Sequence, residues 1–151
     1  MKQIMNKVVR YVAAYIGWTA DLGLGLWFAY LCKTTLLGIF ALFYTGNLAY
    51  QNRVIFIDRA FTILLGLGWL VFMIATEDYF RTGIEKETQM KRFASVTGPL
   101  LVCIFVVDLT LAWIQGFGST NWLHWLILAA ELGFGIGMMA AVKTRLPSKS
   151  N

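Results

Sequence analysis

Three charged side chains and one histidine stand out within apolar stretches that are long enough to cross a lipid bilayer. They are Lys33, Asp108, His124 and Glu131. A charge at the centre of a membrane costs at least about 2.5–3.5 kcal/mol on insertion scales, so it is expected to face protein and to find a partner. Lys33, Asp108 and Glu131 are therefore predicted to form an intramembrane charge cluster.

Lys33 is expected to pair with Glu131 first and with Asp108 second. Lys33 lies about thirteen residues below the outer end of its segment, Glu131 about nine and Asp108 about seven, so at 1.5 Å per residue Glu131 is the closer in depth. Such a cluster has two interpretations. It neutralises itself and sets the helix register, or it forms a path for protons or ions.

His124 is the one histidine of the chain and lies seven residues before Glu131, on nearly the same helical face. It could ligate the magnesium of a chlorophyll-type pigment or pass protons to Glu131. A single histidine cannot supply both axial ligands of a haem. Because Trp122 and Trp125 flank it, the simpler interpretation is a residue of the aromatic belt at the membrane surface. His124 is thus a candidate cofactor ligand, with the cofactor itself unknown.

A stripe of small residues on the last apolar segment predicts close helix packing. Its members are Ala130, Gly133, Gly137 and Ala141. Small residues at such spacing allow two helix backbones to approach closely in a membrane. We name these four residues the small-residue stripe.

Composition supports a membrane protein with one domain over residues 1–151. Hydrophobic residues make up 58% of the chain and charged residues 14%, against about a quarter charged in typical soluble domains. The net charge of +5 does not indicate nucleic-acid binding, because the basic residues flank apolar segments, where they orient the chain in the bilayer. Cys32 and Cys103 are expected to be buried free thiols, and no metal-type spacing is present.

The predicted fold is an all-α integral membrane protein with four transmembrane helices preceded by an N-terminal interfacial amphipathic helix at residues 2–18. On a helical wheel, the apolar side chains of this segment occupy one half, and the basic, polar and small ones, including Lys7, Arg10, Ala14 and Gly17, occupy the other. This segregation is typical of a helix lying in the membrane interface. The alternative is a spanning helix that packs along one face.

The spans are expected near residues 20–46, 54–76, 94–115 and 122–142, with a cytoplasmic loop at residues 77–93. Lysine and arginine residues concentrate in that loop, at the N-terminus and in the C-terminal tail, so the positive-inside rule places both termini in the cytoplasm. Asp58 and Arg59 are expected outside, neutralising each other or lipid headgroups. The predicted location is the bacterial inner membrane, crossed several times.

No nucleophile–base pair, metal cluster or phosphate-binding loop is visible in the sequence, so we do not expect an enzyme or a catalytic residue. The first function predicted is a non-catalytic accessory or scaffold subunit of a larger membrane complex, such as a bioenergetic one. It would contact the lipid bilayer and other membrane subunits. The second is a small oligomeric transporter or channel subunit that uses Lys33, Asp108 and Glu131. A pigment- or quinone-associated subunit is a special case of the first.

Overall fold

The computed structural model describes residues 2–43, 48–85, 88–117 and 121–144, and these ranges contain four helices. They are α1 (Lys2–Leu42), α2 (Leu48–Glu85), α3 (Gln89–Gln115) and α4 (Trp122–Thr144). Each contains a stretch long and apolar enough to cross a membrane. The prediction of an all-helical chain with four potential membrane-spanning helices is confirmed.

Residues 2–18 are not a separate element, because they join the first predicted span in the single 41-residue helix α1. Helix α1 passes residue 18 without a break, and the Thr19 hydroxyl donates to the Tyr15 carbonyl within it at 2.8 Å. Ala14 is only 5% exposed, and a Cβ at Gly17 would lie 3.1 Å from the Phe93 ring. The small residues of this segment therefore face neighbouring helices. This packing is one physical reason for the segregation that the helical wheel shows.

The segment 77–93, predicted to connect two spans, is mostly helical. Helix α2 continues to Glu85 and α3 begins at Gln89. Side-chain contacts hold the two ends together: the Phe80 and Phe93 rings lie 6.4 Å apart, and the Arg92 guanidinium lies 4.5 Å from the centre of the Tyr79 ring. Arg92 also donates a hydrogen bond to the Tyr79 carbonyl. These contacts stabilise helix beyond the apolar stretch that marks the span.

Helices α2, α3 and α4 contain the predicted spans 54–76, 94–115 and 122–142 and extend beyond them at one or both ends. Helix α1 ends at Leu42, and the predicted end at residue 46 lies outside the described residues. Helix α3 ends at Gln115 and is followed by the capping residue Gly116, whose φ of 83° favours glycine because other residues rarely adopt it. The amide of Gly116 donates to the Trp113 carbonyl at 3.2 Å and closes the last turn.

Helix α3 holds the bundle together. Helix α1 packs against α2 and α3, α2 touches α3 less extensively, and within the described ranges α4 packs against α3 alone. Helices α3 and α4 meet at two glycines, where a Cβ at Gly135 would lie 3.2 Å from the carbonyl oxygen of Gly98. Such a close approach of backbones is the role expected of glycine in membrane helix packing.

Candidate functional site

The ammonium group of Lys33 pairs with Asp58 on α2, at 3.4 Å between Nζ and Oδ1. The predicted pairing of Lys33 with Glu131 or Asp108 is therefore wrong. Its cause is the order of the helices: α1 packs against α2, whereas α4 makes no contact with α1 in the described part of the chain. Depth alone could not reveal this. Asp58 lies inside the predicted span 54–76. Its position therefore indicated a further acidic residue in an apolar segment that could pair with Lys33.

Asp108 instead faces His124, with 3.8 Å between Oδ2 and Nε2. This distance is within ion-pair range but too long for a hydrogen bond. Asp108 is only 7% exposed, and the Nε2 atom of His124 is enclosed by protein without a hydrogen-bond partner among the described residues. The imidazole of His124 therefore reaches a buried carboxyl group.

Glu131 lies close enough to Asp108 for their charges to interact. Its Oε2 atom is enclosed and forms no hydrogen bond within the described ranges. The structure thus brings together Asp108, His124 and Glu131 at the contact between α3 and α4 and leaves Lys33 elsewhere. We name these three residues the α3–α4 cluster. Two carboxyl groups and one imidazole can bind and exchange protons.

Asp21, which the sequence analysis did not include among the membrane charges, is fully enclosed at 0% exposure. The Thr97 hydroxyl of α3 donates to its Oδ1 atom at 2.7 Å, while Oδ2 is buried and has no hydrogen-bond partner in the described residues. Asp21 lies one residue inside the predicted start of the first span, residues 20–46. The spacing of the sequence could have predicted that Asp21 is buried. Asp21 follows Ala14 by seven residues and Gly17 by four, and therefore shares their packed face of α1.

The small-residue stripe does not form the contact between α4 and α3. Ala130, Gly133 and Gly137 are exposed, and a Cβ at either glycine would meet nothing within 4 Å. Gly135, two residues from each of these glycines and so on the other side of the helix, makes the contact instead. A groove of about 390 Å³ runs between α3 and α4, and three stripe residues line it together with Phe93 and Met138: Gly133, Gly137 and Ala141.

Within the residues that the structure describes, no group of three or more His, Cys, Asp or Glu side chains is arranged to hold a metal ion. Cys32 and Cys103 are free thiols, but Cys103 lies on an exposed face and is not buried as expected. The ligation of a pigment by His124 stays a prediction. The chemistry that the geometry offers is proton binding at Asp21 and in the α3–α4 cluster. No protein-family model, curated protein or solved structure matches this chain.

Proposed function

We propose that this chain crosses the bacterial inner membrane four times, with both termini in the cytoplasm. Helix α1 has 41 residues and is therefore about 61 Å long, twice the roughly 30 Å of a hydrocarbon core. The excess would fall at its N-terminal end, where the Arg10 carbonyl accepts a hydrogen bond from the Gln89 side chain at 3.2 Å, at the end of the bundle that carries Lys91 and Arg92. Residues 2–18 would then lie largely at the cytoplasmic headgroup level, where basic side chains interact favourably with anionic lipids.

Within the membrane, the chain serves as an accessory or scaffold subunit of a larger complex. The observation that carries this proposal is the position of α4, which packs against α3 alone in the described ranges and turns Gly133 and Gly137 outward. Two glycines one turn apart on an outward face let the backbone of a second helix approach closely.

Purification from the native membrane in mild detergent tests this proposal. The wild-type chain should elute with partner subunits in fixed ratio, and Gly137→Leu should release them because the side chain fills the approach surface. Gly66→Leu on α2 is the matched control, since a Cβ there also meets nothing within 4 Å. A wild-type chain that purifies without partners, or a Gly137→Leu chain that keeps all of them, would contradict the proposal.

A second candidate function is the transport of protons or a cation, and the pairing of Lys33 favours it. Lys33 is engaged by Asp58, so the expected neutralisation of Asp108 and Glu131 by this lysine is absent. Among the described residues, His124 faces Asp108 at 3.8 Å. Uncompensated acids inside a membrane span are expensive and typically mark proton or ion pathways.

Proteoliposomes that contain only this chain test the second candidate. We expect an imposed pH or cation gradient to drive flux, and we expect Glu131→Gln to abolish it while the helical content stays unchanged. Glu77→Gln is the control, because Glu77 is exposed on the extension of α2. Absence of flux in the wild-type chain would exclude this candidate and leave the accessory role standing.

A further inference from the structure

The enclosed carboxyl group of Asp21 takes part in neither of the two proposed functions. The Thr97 hydroxyl donates a hydrogen bond to Asp21 Oδ1 at 2.7 Å, which fixes the orientation of the carboxyl group. Oδ2 is enclosed without a partner. On α2, the Thr76 hydroxyl donates to the Phe72 carbonyl of its own helix. Within the described ranges, no cation pairs with Asp21.

An enclosed carboxylate without a cation is much less stable than the neutral acid, because its charge loses the stabilisation that water provides. The unpartnered Oδ2 atom is therefore the place where a proton would bind. Thr97 cannot replace that proton, since its hydroxyl hydrogen is already directed to Oδ1. The ligand that fits this site is a single proton.

Asp21 and the α3–α4 cluster lie along the same face of α3. Thr97 and Asp108 are eleven residues apart, which is close to three turns of 3.6 residues, so both side chains point the same way about 16 Å apart along the axis. Thr97, Ile104 and Asp108 are all buried, with Ile104 only 1% exposed. Ile104 separates the two proton sites with an apolar side chain.

Glu131 lies between these two sites in depth. Gly135 contacts the backbone of Gly98 and Val102, and Glu131 precedes Gly135 by one helical turn, toward the outer side in the proposed orientation. From the cytoplasmic side outward, the order is then Asp21, Glu131, Asp108 and His124. Carboxyl and imidazole groups thus occur at successive depths across the span.

We propose that Asp21, oriented by Thr97, is the cytoplasmic-side proton-binding site of a series that continues through Glu131, Asp108 and His124 along α3. This inference rests on the second candidate function. In each step the donor acid loses its proton and becomes a carboxylate, and the acceptor carboxylate or imidazole gains the same proton. Because Ile104 interrupts the series, transfer past it requires a water molecule or a rotation of its side chain.

Infrared difference spectroscopy of the full chain in lipid bilayers tests whether Asp21 holds a proton. The wild-type spectrum at neutral pH should contain the C=O stretch of a protonated carboxylic acid, shifted in D₂O and absent in Asp21→Asn. The amide of Asn keeps an oxygen that can accept from Thr97, so the fold should survive. Asp78→Asn, at an exposed site on α2, should leave the band unchanged. A spectrum of Asp21→Asn identical to that of the wild type would overturn the proposal.

Flux in proteoliposomes tests the series and separates its failure from that of transport itself. Asp21→Asn should lower proton flux at least about a hundredfold, the lower end of what a positioned proton-transfer group contributes. Asp21→Glu should restore part of it, and Asp78→Asn should have no effect. Wild-type flux that survives Asp21→Asn would refute the series while transport stands. A wild-type chain without flux would refute both.

Discussion

Adding one methyl group at Gly135 should loosen the contact between α3 and α4, whereas the same change at Gly133 should not. In Gly135→Ala the new Cβ would lie 2.9 Å from Val102 Cγ2, 3.2 Å from the Gly98 carbonyl oxygen and 3.3 Å from the Val102 amide nitrogen. At Gly133 a Cβ meets nothing within 4 Å. The two positions share a helix and differ only in the face that they present.

The magnitude follows from two opposing effects. The optimal separation of non-bonded carbon atoms is about 3.5–4.0 Å, and overpacking of this kind costs about 1–3 kcal/mol. Because two of the three neighbours at Gly135 are backbone atoms, only a shift of the helices can relieve the clash. Replacing glycine by alanine inside a helix gains about 1 kcal/mol at either position. This gain cancels in the comparison, so Gly135→Ala should be less stable than Gly133→Ala by about 1–3 kcal/mol.

Unfolding of the purified variants by a denaturing detergent, followed by circular dichroism and tryptophan fluorescence, measures this difference. Gly98→Ala provides an independent check from α3, because its Cβ would lie 3.2 Å from the Gly135 carbonyl oxygen. It should behave like Gly135→Ala. Equal stability of Gly133→Ala and Gly135→Ala would refute the reasoning, since α4 could not then pack on α3 through Gly135.

Two further predictions concern the ion pair and the orientation of the chain. Lys33→Met combined with Asp58→Asn should cost less stability than the sum of the single changes, because each single change leaves a charge unpaired. Unfolding measurements on all four proteins should give a coupling of about 0.5–3 kcal/mol, and strict additivity would show that the pair is not formed. In a variant without native cysteines, Asn121→Cys should react with an impermeant thiol reagent added to intact cells, and Thr88→Cys only after permeabilisation. The reverse pattern would invert the proposed topology.

The number of helices long and apolar enough to span a membrane could be predicted from the sequence alone. A stretch such as 122–142 is apolar over the length that a bilayer requires, and this property depends on no other part of the molecule. The helix that forms there, Trp122–Thr144, agrees closely. At residues 77–93 the helices extend beyond the apolar stretches, and contacts between Tyr79, Phe80 and Arg92 accompany this extension.

The partners of the membrane charges depended on which helices are neighbours. Glu131 matched Lys33 in depth better than Asp108 did. In the described ranges, however, α4 contacts α3 and not α1, so Lys33 pairs with Asp58 on α2 instead. Hydropathy specifies how deep a residue lies and not which helix stands beside it. The same limit concealed Asp21, whose burial is produced by α3 and its Thr97.

The glycines of α4 also show which properties the sequence predicts and which depend on the tertiary structure. Spacing alone predicted that α4 offers a face for close packing, because Gly133 and Gly137 recur one turn apart. The tertiary structure decided that Gly135, on the other side of the helix, makes the contact within the chain and that the predicted stripe stays exposed. Composition and periodicity are properties of one helix, and they determined that these residues form apolar helices with particular faces. Which face of a helix contacts which neighbouring helix depends on how several helices pack at the same time. Only the three-dimensional structure contains that information.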